Sequence, residues 1–373
     1  MSTFLVLSGY VLAMKPLNLI QAGDLLQLGD HLASSLFRRW LRLYLPLIIT
    51  TLAYMTTWHM LGLWISGVTK EESWMAELWA FYLEFKNFSF VFKEGGEPWL
   101  SYNRHLWTIP VEMKGSIVVF TTLMALSRCS TKMRLWFQTG LIVYFMYIAD
   151  GWYCAMFVMG VLLCDLDLLA ERDELPSFLA RLEPYKTFIY YHLLALGLFL
   201  GGVPSTDRDI TKLSKSRGWF YLSYLKPQAV FDYKWFYLFW AATFLVAATP
   251  RLPWLKRFFE TRFCQYLGRI SYALYMVHGP VLETLGERMY AATGWVTEEH
   301  MQYLPGWCNL VLIPRVGPVG LELSFLLPHI IIFPVTFGLA ELVTRLVDSP
   351  CQRFAAWLYK QTVEDLPIKQ ARA

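Results

Sequence analysis

Long apolar runs alternate with short polar stretches from one end of the chain to the other. Marked off by Pro, Gly and clustered charge, nine apolar segments stand out, at roughly 2–14, 43–65, 107–126, 135–149, 151–170, 187–203, 235–249, 266–285 and 319–345, against the ~20 residues that a spanning helix needs. The pattern predicts an all-α fold, a polytopic transmembrane helix bundle with about nine helices, organised as a single domain over 1–360 with a cytoplasmic tail at 361–373. Segments 135–149 and 235–249 are short, so flanking aromatics or neighbouring helices would complete those crossings. The first segment, Ser2 to Met14, meets Lys15 and Pro16 after about 13 residues, too few to span. It also lacks the basic start and small-residue cleavage site of a signal peptide. It therefore reads as part of a helix preceded by further chain.

Composition agrees with a lipid solvent. The chain is 56% hydrophobic, 17% aromatic and 17% charged, with a mean hydropathy of +0.37; soluble domains carry about 25% charge. The net charge of +4 is dispersed rather than gathered in a basic block, which argues against nucleic acid as a partner. Six cysteines are scattered with no CxxC or CxxH spacing, so no metal site is expected. If the loops alternate sides and 15–42 is cytoplasmic, the cytoplasmic set holds 20 Lys and Arg against 12 opposite, which predicts a cytoplasmic C-terminus. Trp74, Trp79, Trp99, Trp219, Trp295 and Trp307 fall in the long loops 66–106, 204–234 and 286–318, as interfacial anchors or short lids.

Ionisable groups in such a chain are costly unless they are paired or face water, and they concentrate in a few places. Arg38, Arg39 and Arg42 stand before the second apolar segment; Arg39 and Arg42 share a helix face and suit either phosphate groups or anionic lipid. The stretch Tyr102 to Glu112 reads as a helix start, with Thr108 as N-cap, Pro110 in the first turn and Glu112 favoured by the helix dipole. If the helix extends back to His105, then His105, Thr108 and Glu112 share one face. Ser271, Tyr275 and His278 fall at i, i+4 and i+7, a polar stripe predicted to face the bundle interior. Lys114, His192, His329 and Glu341 are isolated polar residues in apolar runs, expected to be pore-facing or interhelical hydrogen-bonders rather than catalysts.

Four stretches together resemble the acyltransferase 3 family of integral-membrane acyltransferases, in its fungal form. They are Phe4-Leu5-Val6-Leu7-Ser8-Gly9-Tyr10-Val11-Leu12, the Arg39-x-x-Arg42 cluster, Leu106-Trp107-Thr108-Ile109-Pro110-Val111-Glu112, and Leu267 to His278. The resemblance implies ten helices and transfer of an acyl group, often acetyl, from cytoplasmic acyl-CoA to a hydroxyl of a carbohydrate, lipid or secondary metabolite, without a metal or prosthetic group. It implies that Arg39 and Arg42, with Arg38 beside them, serve the CoA phosphates. It also implies a catalytic histidine in a helix ahead of the Ser8-Gly9-Tyr10 stretch, which this chain does not contain. Within the chain, Glu112, His278 and His105 are then the candidates to orient the acceptor or a base. The alternatives are an inactive relative that binds acyl-CoA or lipid, and a transporter using Glu112, Lys114 and His278.

Overall fold

In the computed structural model, which describes residues 1–68, 70–92, 99–314, 316–318 and 322–363, the described parts of the apolar segments are mainly helical and no strand occurs among the described residues. The longer helices are α1 (Ser2–Ala22), α2 (Leu25–Leu61), α3 (Trp74–Ser89), α4 (Thr108–Leu126), α5 (Thr131–Tyr147), α6 (Trp152–Glu171), α7 (Lys186–Gly201), α8 (Tyr233–Ala248), α9 (Arg262–Val281), α10 (His329–Val343) and α11 (Ser349–Thr362). By length and hydropathy, four helical stretches among these residues can cross a bilayer: Ser2–Ala22, Arg104–Leu126, Trp152–Glu171 and Leu323–Thr362. Of the expected tail, residues 364–373 lie outside the described residues, as do 319–321 of the last apolar segment.

The first segment is longer than its hydropathy implied. α1 continues through Lys15 and Pro16 for 21 residues, about 31 Å at 1.5 Å per residue, so it is not too short to span. Proline inside a helix removes one backbone donor, a loss that packing against neighbours can absorb.

The chain divides into two units, Met1–Leu36 with Val111–Cys264, and Phe37–Pro110 with Gln265–Ala373. In the first, α1 crosses α6 at very short range. A Cβ on Gly9 would lie 2.1 Å from the Phe157 carbonyl oxygen, and one on Gly160 would lie 2.1 Å from that of Val6. Small residues at such a crossing let two backbones touch where lipid offers no hydrophobic push. Beside it, Arg134 of α5 forks onto Asp165 of α6, Nε to Oδ2 at 2.6 Å and Nη2 to Oδ1 at 2.9 Å. Gln138 and Gln21 each donate to the same carboxylate at 3.0 Å. Asp165 and Gln138 are fully buried and Arg134 nearly so, so this network satisfies a charge pair that would be costly unpaired. Tyr10 donates to Asp167 at 2.9 Å, and Arg251 pairs with the other Asp167 oxygen. Trp219, expected at the membrane interface, is instead a core residue stacked on Phe199 with centroids 5.3 Å apart.

The second unit is built on the remainder of α2 with α3, α9, α10 and α11. Tyr44 of α2 is fully buried, its ring edge-on to Phe85 and Phe88 of α3 at 6.0 and 6.3 Å. Tyr272 of α9 donates to the Leu43 carbonyl at 2.5 Å. α9 ends at Gly279-Pro280-Val281 and passes into a π-helical turn, Leu282–Gly286. α10 likewise runs through a π-turn, Thr344–Asp348, into α11. Glu341 holds Arg269 at 2.7 Å and Arg345 at 2.5 Å. α3 occupies much of the segment expected to be a loop at 66–106.

Candidate active site

In the second unit the chain turns through a short 3-10 helix, Arg104–Trp107, directly into α4. Helical structure thus reaches back past Pro110, which sits in the first turn where its missing N–H costs nothing. Thr108 does not cap the helix. Its hydroxyl donates to the Tyr275 hydroxyl on α9 at 2.6 Å, and Tyr275 in turn donates to the His105 carbonyl. Asn103 donates from Nδ2 to the Met276 carbonyl at 2.9 Å. The 103–108 turn is therefore held to α9 at three points.

These bonds bring His105 and His278 together, their ring centroids 4.8 Å apart and tilted at 43°. Tyr275 flanks the pair, 5.6 Å from the His278 ring. The approach depends on Gly279, where a Cβ would lie 2.7 Å from His105 Cδ2 and from Asn103 Oδ1. His278 Nδ1 lies 3.2 Å from the Leu274 carbonyl. A carbonyl only accepts, so Nδ1 carries a proton, and the neutral form of the ring has its lone pair on Nε2. His105 is exposed and His278 half-buried. The pair is thus accessible to a substrate and chemically fit to take a proton.

The outer frame of this site is α3. Ser73 caps it by accepting from the Ala76 N–H at 3.2 Å. Both oxygens of Glu84 accept from Ser101, one from its N–H at 2.8 Å and one from its hydroxyl at 2.6 Å. Glu77 is almost wholly buried; it accepts from the Tyr102 hydroxyl at 3.0 Å and from the Glu71 N–H at 2.9 Å. Burial, and next the bond to Glu77, hold the Tyr102 phenol well above its usual range, so it remains a neutral donor.

Of the candidates read from the sequence, the structure joins His105 and His278. Glu112 lies on α4 in the first unit, buried, with its backbone carbonyl accepting from Ser116 Oγ at 2.6 Å. Arg38, Arg39 and Arg42 lie on α2, whose helix begins at Leu25 rather than at the apolar run. Arg42 is exposed, Arg38 and Arg39 are half-buried, and the adjacent Phe37 packs on Tyr359 of α11 at 5.4 Å. Ser271 departs from the expected interior stripe, being exposed and bonded to the Gly268 carbonyl at 2.9 Å. Of the isolated polar residues, His192 is exposed and bonds within its own helix, to the Phe188 carbonyl at 2.8 Å. His329 reaches the Tyr290 hydroxyl at 3.3 Å. Asn103, Gly279, Glu77 and Glu84 were not singled out by the sequence, although the two glutamates are seven residues apart on one helix face.

A family model described as "Acyltransferase domain" matches residues 1–338. Among curated proteins, the O-acetyltransferase PaAT-1 of Phomopsis amygdali is 30% identical over 401 aligned residues, spanning 98% of this chain and 75% of the relative. The acyltransferase clz18 of Cochliobolus lunatus is 22% identical over 397, spanning 96% of this chain and 80% of the relative. No solved structure matches significantly.

Proposed function

This chain belongs to the acyltransferase 3 family, the Acyltransferase domain family of membrane acyltransferases, and from that premise we propose that it moves an acetyl or similar short acyl group from acyl-CoA to a hydroxyl. The observation that carries the site assignment is the accessible pair His105 and His278, 4.8 Å apart with the Nε2 lone pair of His278 available. One imidazole removes the acceptor's hydroxyl proton as its oxygen attacks the thioester carbon. The new C–O bond forms, the C–S bond breaks, and the CoA thiolate leaves to take up a proton. The second imidazole and Tyr275 orient the acceptor. The acceptor class is a hydroxyl-bearing carbohydrate, lipid or secondary metabolite.

Arg39 and Arg42, with Arg38, grip the donor's phosphates, since guanidinium forks match phosphate oxygens. Glu112 is a buried carboxylate on α4, kept as a candidate to orient the acceptor or a base. The test uses the purified chain in detergent with acetyl-CoA and glycerol, glucose and a long-chain alcohol as acceptors, following release of the CoA thiol. Arg39→Ala combined with Arg42→Ala is expected to raise the KM for acetyl-CoA by about 10-fold or more, the scale of lost charge-assisted bonds, while kcat changes little. An unchanged affinity for acetyl-CoA overturns the donor assignment.

A further inference from the structure

We propose that α3 is the positioning element of the histidine pair, acting through Glu84 and Glu77 on the segment that carries His105. This rests on the reading of His105 and His278 as the proton-handling site.

The case begins with the pattern of α3. Glu77, Phe81, Glu84 and Phe88 fall at i, i+4, i+7 and i+11, a single inward stripe. Phe81 and Phe88 are buried, Glu77 is almost wholly so and Glu84 half-buried. The opposite side carries exposed Met75, Trp79 and Tyr82. An inward stripe needs only apolar residues to pack, and burying a carboxylate costs free energy unless it is well bonded. Both acids therefore sit where packing alone would exclude them.

Their bonds converge on two consecutive residues. Glu84 takes both the N–H and the hydroxyl of Ser101, and Glu77 takes the hydroxyl of Tyr102. The Tyr102 ring is further fixed edge-on to Phe81 at 5.7 Å and against Trp58 at 5.7 Å. The next residue is Asn103, bonded to the Met276 carbonyl, and His105 follows two places on. Three anchors in a row thus set the height and rotation of the turn bearing His105. Displacing a catalytic group by about 1 Å can cost 10²-fold in rate. Glu84 and Glu77 act through this segment and do not touch the reacting atoms.

The experiment compares Glu84→Ala, Glu84→Gln and Ser101→Ala in the full chain. Glutamine can still accept from the Ser101 N–H, so it is the rescuing variant. Expected results are a kcat about 10-fold lower in Glu84→Ala, a KM for acetyl-CoA within about 2-fold of wild type, and recovery of most of kcat in Glu84→Gln. A readout free of any acceptor is the rate of diethyl pyrocarbonate modification of His105 by mass spectrometry, with exposed His192 on α7 as the internal standard. That ratio is expected to change several-fold in Glu84→Ala and to return in Glu84→Gln. An unchanged ratio and kcat in Glu84→Ala, while His278→Gln abolishes turnover, overturns the inference alone. Full turnover in His105→Gln and His278→Gln removes the underlying reading, and the inference with it.

Discussion

Gly279 shows how finely the site is built. A methyl group there would meet both His105 and Asn103 at 2.7 Å, well inside contact distance, so the 103–105 turn must move away from α9. Gly279→Ala is expected to cost about 1–3 kcal/mol, typical of overpacking, and to lower kcat by about 10-fold as the imidazoles separate. Thermal denaturation and CoA release measured on the same preparation check both effects. His278 itself was legible in the sequence as a polar residue at i+7 from Ser271 in an apolar run. His105 was a candidate too, but its pairing with His278 was not read, because 173 residues separate the two and only the fold closes that distance. Ser271, on the same expected stripe, satisfies its hydroxyl on its own helix and stays exposed.

At the scale of elements, the apolar runs were read well because a helix in lipid must be apolar along its whole length. α3 was missed for the complementary reason. Glu77, Glu84 and Lys86 break its hydropathy, so a search for apolar runs sees a loop where a 3.6-residue period was present. α1 was cut short by Lys15 and Pro16, residues that usually end a helix but do not when packing against α6 continues past them. The polar network joining α1, α5 and α6 was also invisible, since Gln21, the Arg134 and Gln138 pair, and Asp165 come from three helices that only the fold brings together. Arg134→Met would strand the Asp165 carboxylate, fully buried, with two amides in place of its guanidinium fork. A loss of about 3–5 kcal/mol is expected, read as a depressed melting temperature or failure to accumulate as a folded chain.

For the whole molecule, composition and the alternation of apolar segments indicated a helical membrane protein, and the order of four motifs indicated its family. Both follow from features spread along the chain, which survive sequence divergence better than any single contact. Sidedness belongs to this scale as well. From the excess of Lys and Arg in alternate loops the C-terminus is expected on the cytoplasmic side. A protease-sensitive tag after residue 373 is expected to be cleaved from the cytosolic face of sealed vesicles and to resist cleavage from the opposite face.

The central claim is that His105 and His278 act as one proton-handling unit, and a double-mutant cycle on kcat tests it most directly. His105→Gln and His278→Gln are each expected to lower kcat by about 10²–10⁴, the usual range for removing general acid–base catalysis. The double variant is expected to be no slower than the slower single, because residues acting as a unit are not additive. Independent effects that multiply in the double variant, or single variants that keep wild-type kcat with unchanged acetyl-CoA affinity, would contradict the account.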